Sequence, residues 1–482
     1  YDFSKPFFSQ FNELVNKVPH MSVVNDDGIA SKNCEYTHDW WFSKNCYMVF
    51  SGWHTENVMY SFFVLAGKYN IDCMSLRLPN EWAYECVTVG NSYQIRHVQY
   101  GLACIDSAFL YDCRDCSNCF MCYGLRNKKY YFKNKKYSKE EYEKILEEYR
   151  LDTFSGVEKA EKEFNSFITK AIRRYVNGIF SKNCTGELVS YSRYVKNSFN
   201  IMNAENLRYS DFVGDISKTT KDSHDLTTSG GLSECYECVV ADHSQLNLFG
   251  LFSVKSQDIK YCQHCHNCKH CFGCVGLRNA NYCIFNKQYT KEEYEELLPK
   301  IIEQMNKVPY VDKMGIQYKY GEFFPIEFSP FGYNETYAPE LLSLSKEEAL
   351  ERGYNWQDST QKTTGKETLL PDKIPDSIND IDEKILEEIL KCIDCGRNYK
   401  IIQNEFLFYK KMNIPIPRRC FMCRYQRRVT KRLPLKLWHR NCMCEQKNHE
   451  HEGKCTEEFE TGYDPNGTEI VYCEKCYQKE IY

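Results

Sequence analysis

Cys392 and Cys395 in "CIDC", followed after 24 residues by Cys420 and Cys423 in "CFMC", are the residues best suited by type and spacing to do chemistry. Two thiols separated by two residues can reach one ion from a tight turn, and two such pairs complete a tetrahedral thiolate site. A second set follows in Cys444, Cys455, Cys473 and Cys476. Cys442 is an alternative to Cys444 there, and His449 and His451 lie close by. The pattern predicts two structural zinc ions within residues 389–482. A site closed by four protein ligands has no position left for a substrate, so the chemistry expected is architectural.

Cys113, Cys116, Cys119 and Cys122, mirrored by Cys265, Cys268, Cys271 and Cys274, step through the chain three residues at a time. Two readings carry equal weight. They are further zinc ligands, with His264, His266 and His270 as spares, or they are small buried side chains packed in a narrow interior. An iron-sulfur reading fits less well, because Cys122 precedes Tyr123 and Cys274 precedes Val275 where a ferredoxin run would place a proline near its last cysteine. The scattered Cys34, Cys46, Cys73, Cys86, Cys104, Cys184 and Cys235 read as core packing.

Between Phe406 and Cys444 stand eleven lysines and arginines and no acidic residue: Lys410, Lys411, Arg418, Arg419, Arg424, Arg427, Arg428, Lys431, Arg432, Lys436 and Arg440. Tyr425 and Trp438 are interleaved with them. Cations beside flat rings suit a phosphate backbone with stacked bases, which points to a nucleic-acid partner, RNA or single strands rather than a duplex. Each four-thiolate zinc site carries about two negative charges, so two sites account for about four of these cations. The rival reading is a structural or assembly scaffold that binds a protein partner, and a thiol or iron-sulfur redox protein comes third. No HExxH, GxSxG or dinucleotide loop is present, and "TGKET" lacks the glycine of a phosphate-binding loop. The expectation is a non-catalytic protein.

The elements that position these residues begin with a duplication. "CFMCYGLRNKKYYFKNKKYSKEEYEKIL" at 119–146 returns as "CFGCVGLRNANYCIFNKQYTKEEYEELL" at 271–298, an offset of 152, and "YECV" at 84 recurs at 236. Inside the first copy Cys34, Cys46, Val58, Cys73 and Cys86 follow at steps of 12, 12, 15 and 13. Steps of that length suit a β-rich fold of tandem β-solenoid-like modules, with a sandwich of short strands as the alternative. Each copy ends in a helix opened by a capping box, Ser138 with Glu141 and Thr290 with Glu293. The predicted organisation is an N-terminal helical segment (1–30), a first repeat module (31–150), a helical bridge (151–180) and a second module (181–300). A connecting region and polar linker (301–388) and a double zinc-ribbon domain (389–482) follow.

The 482 residues hold 27 cysteines, nine in each third of the cysteine-bearing chain, and a net charge of -4 that excludes a global polycation. Thiol clusters in a chain of this size favour the reducing cytoplasm, and no apolar run or signal peptide points to a membrane. The chain opens on Tyr1, which suggests processing or a longer parent. "CIDCGRNYKIIQNEFLFYKKMNIPIPRRCFMCR" resembles probable zinc-ribbon, or treble-clef, domains. With "YDFSKPFFSQF", "GLRN" and "YCEKCYQKE", the whole chain is similar to uncharacterised cysteine-rich proteins encoded by environmental small-genome bacteria. That resemblance implies zinc and a fold, and no activity.

Overall fold

The computed structural model describes residues 1–20, 30–76, 79–214, 218–359 and 363–481. Parts of the expected N-terminal segment (21–29) and of the expected linker (360–362) lie outside them. The protein is β-rich, with one parallel sheet in each repeat and cysteine clusters near its C-terminal end.

In the first repeat Cys34 pairs with Cys46, Tyr47 with Met59, Ile95 with Ser107 and Phe120 with Ala108. The chain therefore returns beside itself every twelve residues. The second repeat keeps the same register, with Asn247 beside Ile259 and Ile259 beside Cys271. One rung there is longer, Ala204 pairing with Thr220.

The turning is done by left-handed residues at every third position, for example Asn91, Gln94, His97, Tyr100, Ala103 and Asp106, with φ between 50° and 55° for the first five and 47° for Asp106. Each is a backbone state that disfavours most side chains. The cost is offset where a corner amide finds a carbonyl on the preceding rung, as Tyr100 N does on Val87 O and Ala103 N on Gly90 O. Corner side chains stack between rungs: Tyr69 lies on Trp82 at 4.3 Å and His270 on Tyr282 at 4.9 Å. The residue after each corner points inward, so the interior is a set of columns of small side chains. Cys104, Leu110, Cys113, Cys116, Cys119 and Cys122 are among those of the first repeat, and Cys262 to Cys274 fill the second.

Both sheets close with an antiparallel hairpin whose two turn residues, Lys133–Asn134 and Phe285–Asn286, have positive φ, as a two-residue turn matching strand twist requires. Asn134 bonds both the amide and the carbonyl of Tyr123, and Asn286 does the same for Val275. The duplicated phrase thus ties each closing hairpin to the rung before it.

Helices cover part of the outer surface of each repeat. α1 (Phe7–Lys17) precedes the first repeat, α2 (Lys139–Tyr149) and α3 (Phe154–Ile168) follow it, and α4 (Lys291–Lys307) follows the second. The capping boxes at Ser138 and Thr290 are formed. Phe164 of α3 packs on Phe109 of the first repeat. The counterpart surface of the second repeat, Tyr261 and Phe272, is covered by Phe7 of α1 at 5.3 and 5.2 Å. Short helices α5 (Ala338–Leu341) and α6 (Lys346–Glu351) precede α7 (Gln403–Met412), α8 (Phe421–Val429) and α9 (Glu474–Ile481). Among the described residues no helix is long and apolar enough to cross a membrane.

The stretch expected to be a polar linker is instead packed. Ile374, Ile378, Ile381 and Ile385 are buried with Phe406, Tyr409, Ile414 and Ile416 against Met59, Tyr60, Ile71 and Tyr84 of the first repeat. Four isoleucines in one apolar cluster outweigh the polar residues between them.

Candidate metal centres

The first centre is assembled from two local structures. A tight hairpin, Leu390–Lys391 against Asn398–Tyr399, carries Cys392 and Cys395, and Gly396 takes the left-handed φ of 70° that its turn requires. The second pair sits where α8 begins, Cys420 being its N-cap. The four sulfurs lie within 4.8 Å of one another, Cys395 and Cys420 at 3.7 Å. Burial pushes the Cys392 thiol up, but the backbone amides of Cys420, Cys395 and Asp394 aimed at it outweigh burial and bring it down to about 7. The positive end of α8 favours thiolate in the same sense. A metal ion fits this set.

In the second centre the structure gathers Cys442, Cys455, Cys473 and Cys476, all buried and within 4.8 Å of one another. Cys473 and Cys476 again straddle the start of a helix, here α9, and the Cys473 amide donates to Cys442 Sγ at 3.2 Å. Cys442, not Cys444, is thus the fourth member. Cys444 belongs to another group with His449, His451 and Cys476.

The period-three cysteines behave differently. Cys113, Cys116, Cys119, Cys122, Cys265, Cys268, Cys271 and Cys274 are all buried in the interior columns. Among the described residues no three of them converge as the ligands of one ion would. Each thiol reaches the carbonyl two residues back, Cys119 to Ser117 at 3.4 Å and Cys271 to Lys269 at 3.3 Å. Ser61 and Ser107 make the same bond from equivalent positions. Small size and one weak donor are what the column asks for.

Of the residues expected to face nucleic acid, Arg418, Arg424, Tyr425 and Arg428 are buried, Lys410, Arg419, Arg427, Lys431, Arg432 and Trp438 are partly buried, and Lys411 is exposed. Asp72 lies 2.8 Å from Arg424 and 2.9 Å from Arg428, and all three side chains are at most 4 % exposed. Glu405 and Glu85 stand 3.4 Å from the same two arginines. Burial pushes the carboxyls of Glu405 and Glu85 up, and the arginines oppose that rise. Tyr60 and Tyr409 donate to Glu405. Arg418 donates to the carbonyl of Ile374, Arg419 pairs with Glu158 and Asp394, and Arg427 and Lys431 share Glu161. Tyr425 donates to Glu340 and Arg432 to Tyr337. Lys410 caps the Ile378 carbonyl, Lys411 sits over Trp82, and Trp438 lies beneath Lys436. The physical reason is complementarity within the chain: acids spread over the first repeat, α3 and α5 neutralise a stretch that contains none of its own. Arg126, in the duplicated phrase, likewise holds Asp112 and Tyr477 of α9.

No family model matches the chain, and no curated protein matches it. A solved structure from Desulfovibrio desulfuricans G20, described provisionally as an acetyltransferase, aligns over 64 % of this chain and 97 % of its own. At 7 % identity and a TM-score of 0.12 that likeness carries no argument about fold or function.

Proposed function

We propose that this protein is a non-catalytic scaffold: two β-solenoid modules held by a pair of zinc ribbons of treble-clef type, with the outer solenoid faces left for a protein partner. The twelve-residue parallel register and the left-handed corner at every third residue support the solenoid reading. Soft all-thiolate donor sets support zinc, since four sulfurs about 2.3 Å from an ion stand about 3.8 Å apart, against 3.7 and 4.0 Å for the pairs Cys395–Cys420 and Cys455–Cys473. A ring of four thiolates leaves no place for water, which favours a structural role over turnover. Thiols used in this way suit a reducing compartment such as the cytoplasm.

The observation that carries the scaffold reading is the buried Asp72–Arg424–Arg428 cluster, which commits the basic stretch to the first repeat. The nucleic-acid reading depended on a surplus of available cations, and the arginines that supplied it have acidic or carbonyl partners inside the chain. Titrating the zinc-loaded full chain into labelled single-stranded RNA at low and then rising salt tests the choice. The scaffold reading expects no saturable binding. A complex that weakens with a log–log salt slope of about -0.7 per phosphate contacted would reinstate the nucleic-acid partner.

A further inference from the structure

We propose that the last centre is dinuclear, with the Cys476 thiolate bridging two zinc ions. The inference rests on the four-thiolate reading of Cys442, Cys455, Cys473 and Cys476 and adds a second ion to it. Cys476 is common to that set and to Cys444, His449 and His451, and within each set the ligand atoms lie inside 4.8 Å of one another. The loop that brings the histidines back is closed by the Cys455 amide bonding the Cys444 carbonyl at 2.9 Å.

The histidines are oriented as metal ligands are. A ligating imidazole offers one nitrogen to the ion and fixes its ring by donating from the other to a carboxylate or carbonyl. His449 places Nδ1 3.0 Å from Cys444 Sγ, and its Nε2 faces the Glu480 carboxylate at 3.4 Å, with the side chain 1 % exposed. His451 donates from Nδ1 to the Gly453 carbonyl at 2.8 Å, which leaves the lone pair on Nε2. That Nε2 is buried and has no hydrogen-bond partner among the described residues. Burying an acceptor unpaired carries a free-energy cost unless something binds it. A divalent ion of zinc's softness, taking Cys444, His449, His451 and Cys476, removes that cost. Each ion is then four-coordinate, and five thiolates with two neutral imidazoles leave the pair of dications only one negative charge in excess.

The test uses the full chain, stripped and reloaded with zinc alone, its bound ions counted by native mass spectrometry. Three ions are expected, and H449Q/H451Q should retain two. The unmodified protein reloaded with cadmium-113 should show, besides the resonance of the first centre, two resonances split by coupling through a shared sulfur, a readout that needs no variant to fold. Two zinc ions in the wild type, unchanged by the histidine substitutions and with no cadmium coupling, would overturn the bridge while leaving the four-thiolate reading intact. A zinc count unaltered by C442S and C473S would sink that underlying reading as well.

Discussion

Asp72→Asn keeps the shape of a side chain that lies fully buried between two guanidinium groups and removes only its charge. Two unit charges about 4 Å apart attract by about 4 kcal/mol at an effective dielectric of about 20, and Asp72 serves two such partners. Much of that attraction offsets the desolvation of three charges. Breaking one member of a buried set typically costs about 3–5 kcal/mol, because the partners stay buried without compensation. Here Arg424 keeps Glu405 and Arg428 keeps Glu85, each at 3.4 Å, which places the expectation near the lower figure, about 3 kcal/mol. Denaturant titration of the full chain at neutral pH measures it, with R428M and D72N/R428M completing a double-mutant cycle. The double variant should cost about 1–3 kcal/mol less than the sum of the single ones. A D72N protein within about 0.5 kcal/mol of wild type, with additive effects in the cycle, would refute the claim that the basic stretch is an internal interface.

Cys119→Ser should cost less than about 1 kcal/mol and leave the zinc content unchanged, since Ser107 already fills the adjacent place in the same column, whereas Cys119→Leu overpacks it by about 1–3 kcal/mol; zinc lost with the serine variant would make the column a ligand set. His97 supplies a pH test. Burial pushes its imidazole down to about 3, and among the described residues neither ring nitrogen has a hydrogen-bond partner. Because the unfolded chain takes up the proton first, the stability that neutral His97 contributes is complete above about pH 6.5 and is lost at about 1.4 kcal/mol per unit as pH falls toward 3. His97→Phe, which keeps the stack on Phe109, should therefore gain about 2 kcal/mol on wild type between pH 6.5 and 5, read from denaturation midpoints; a constant difference would contradict a buried neutral ring.

What could be read from the residues was what repeats or acts locally. The capping boxes at Ser138 and Thr290 involve neighbours three apart, and both are formed. The step of 15 between Val58 and Cys73 is one twelve-residue rung plus one three-residue side, a move to the next interior column. The step of 13 is a rung with one extra residue, as the pairing of Asn70 with Ala83 records. The acidic partners of the basic stretch were not legible, because Asp72 meets Arg428 across more than three hundred residues and no periodicity links them. Cys442 and Cys444 stand two residues apart, and spacing gave no reason to think that both are used, by different groups. The packed isoleucines 374, 378, 381 and 385 did leave a signal, an apolar spacing of four, three and four, which the polar residues between them obscured.

The seating of α1 on the second repeat has a consequence for synthesis. Phe7, Phe8 and Phe11 leave the ribosome some 250 residues ahead of Tyr261 and Phe272, and at roughly 5–20 residues per second they wait on the order of ten to fifty seconds for their surface to exist. Through that interval three phenylalanines have no native shelter, so α1 is made long before it can dock, and the nascent chain has most need of a chaperone over that helix.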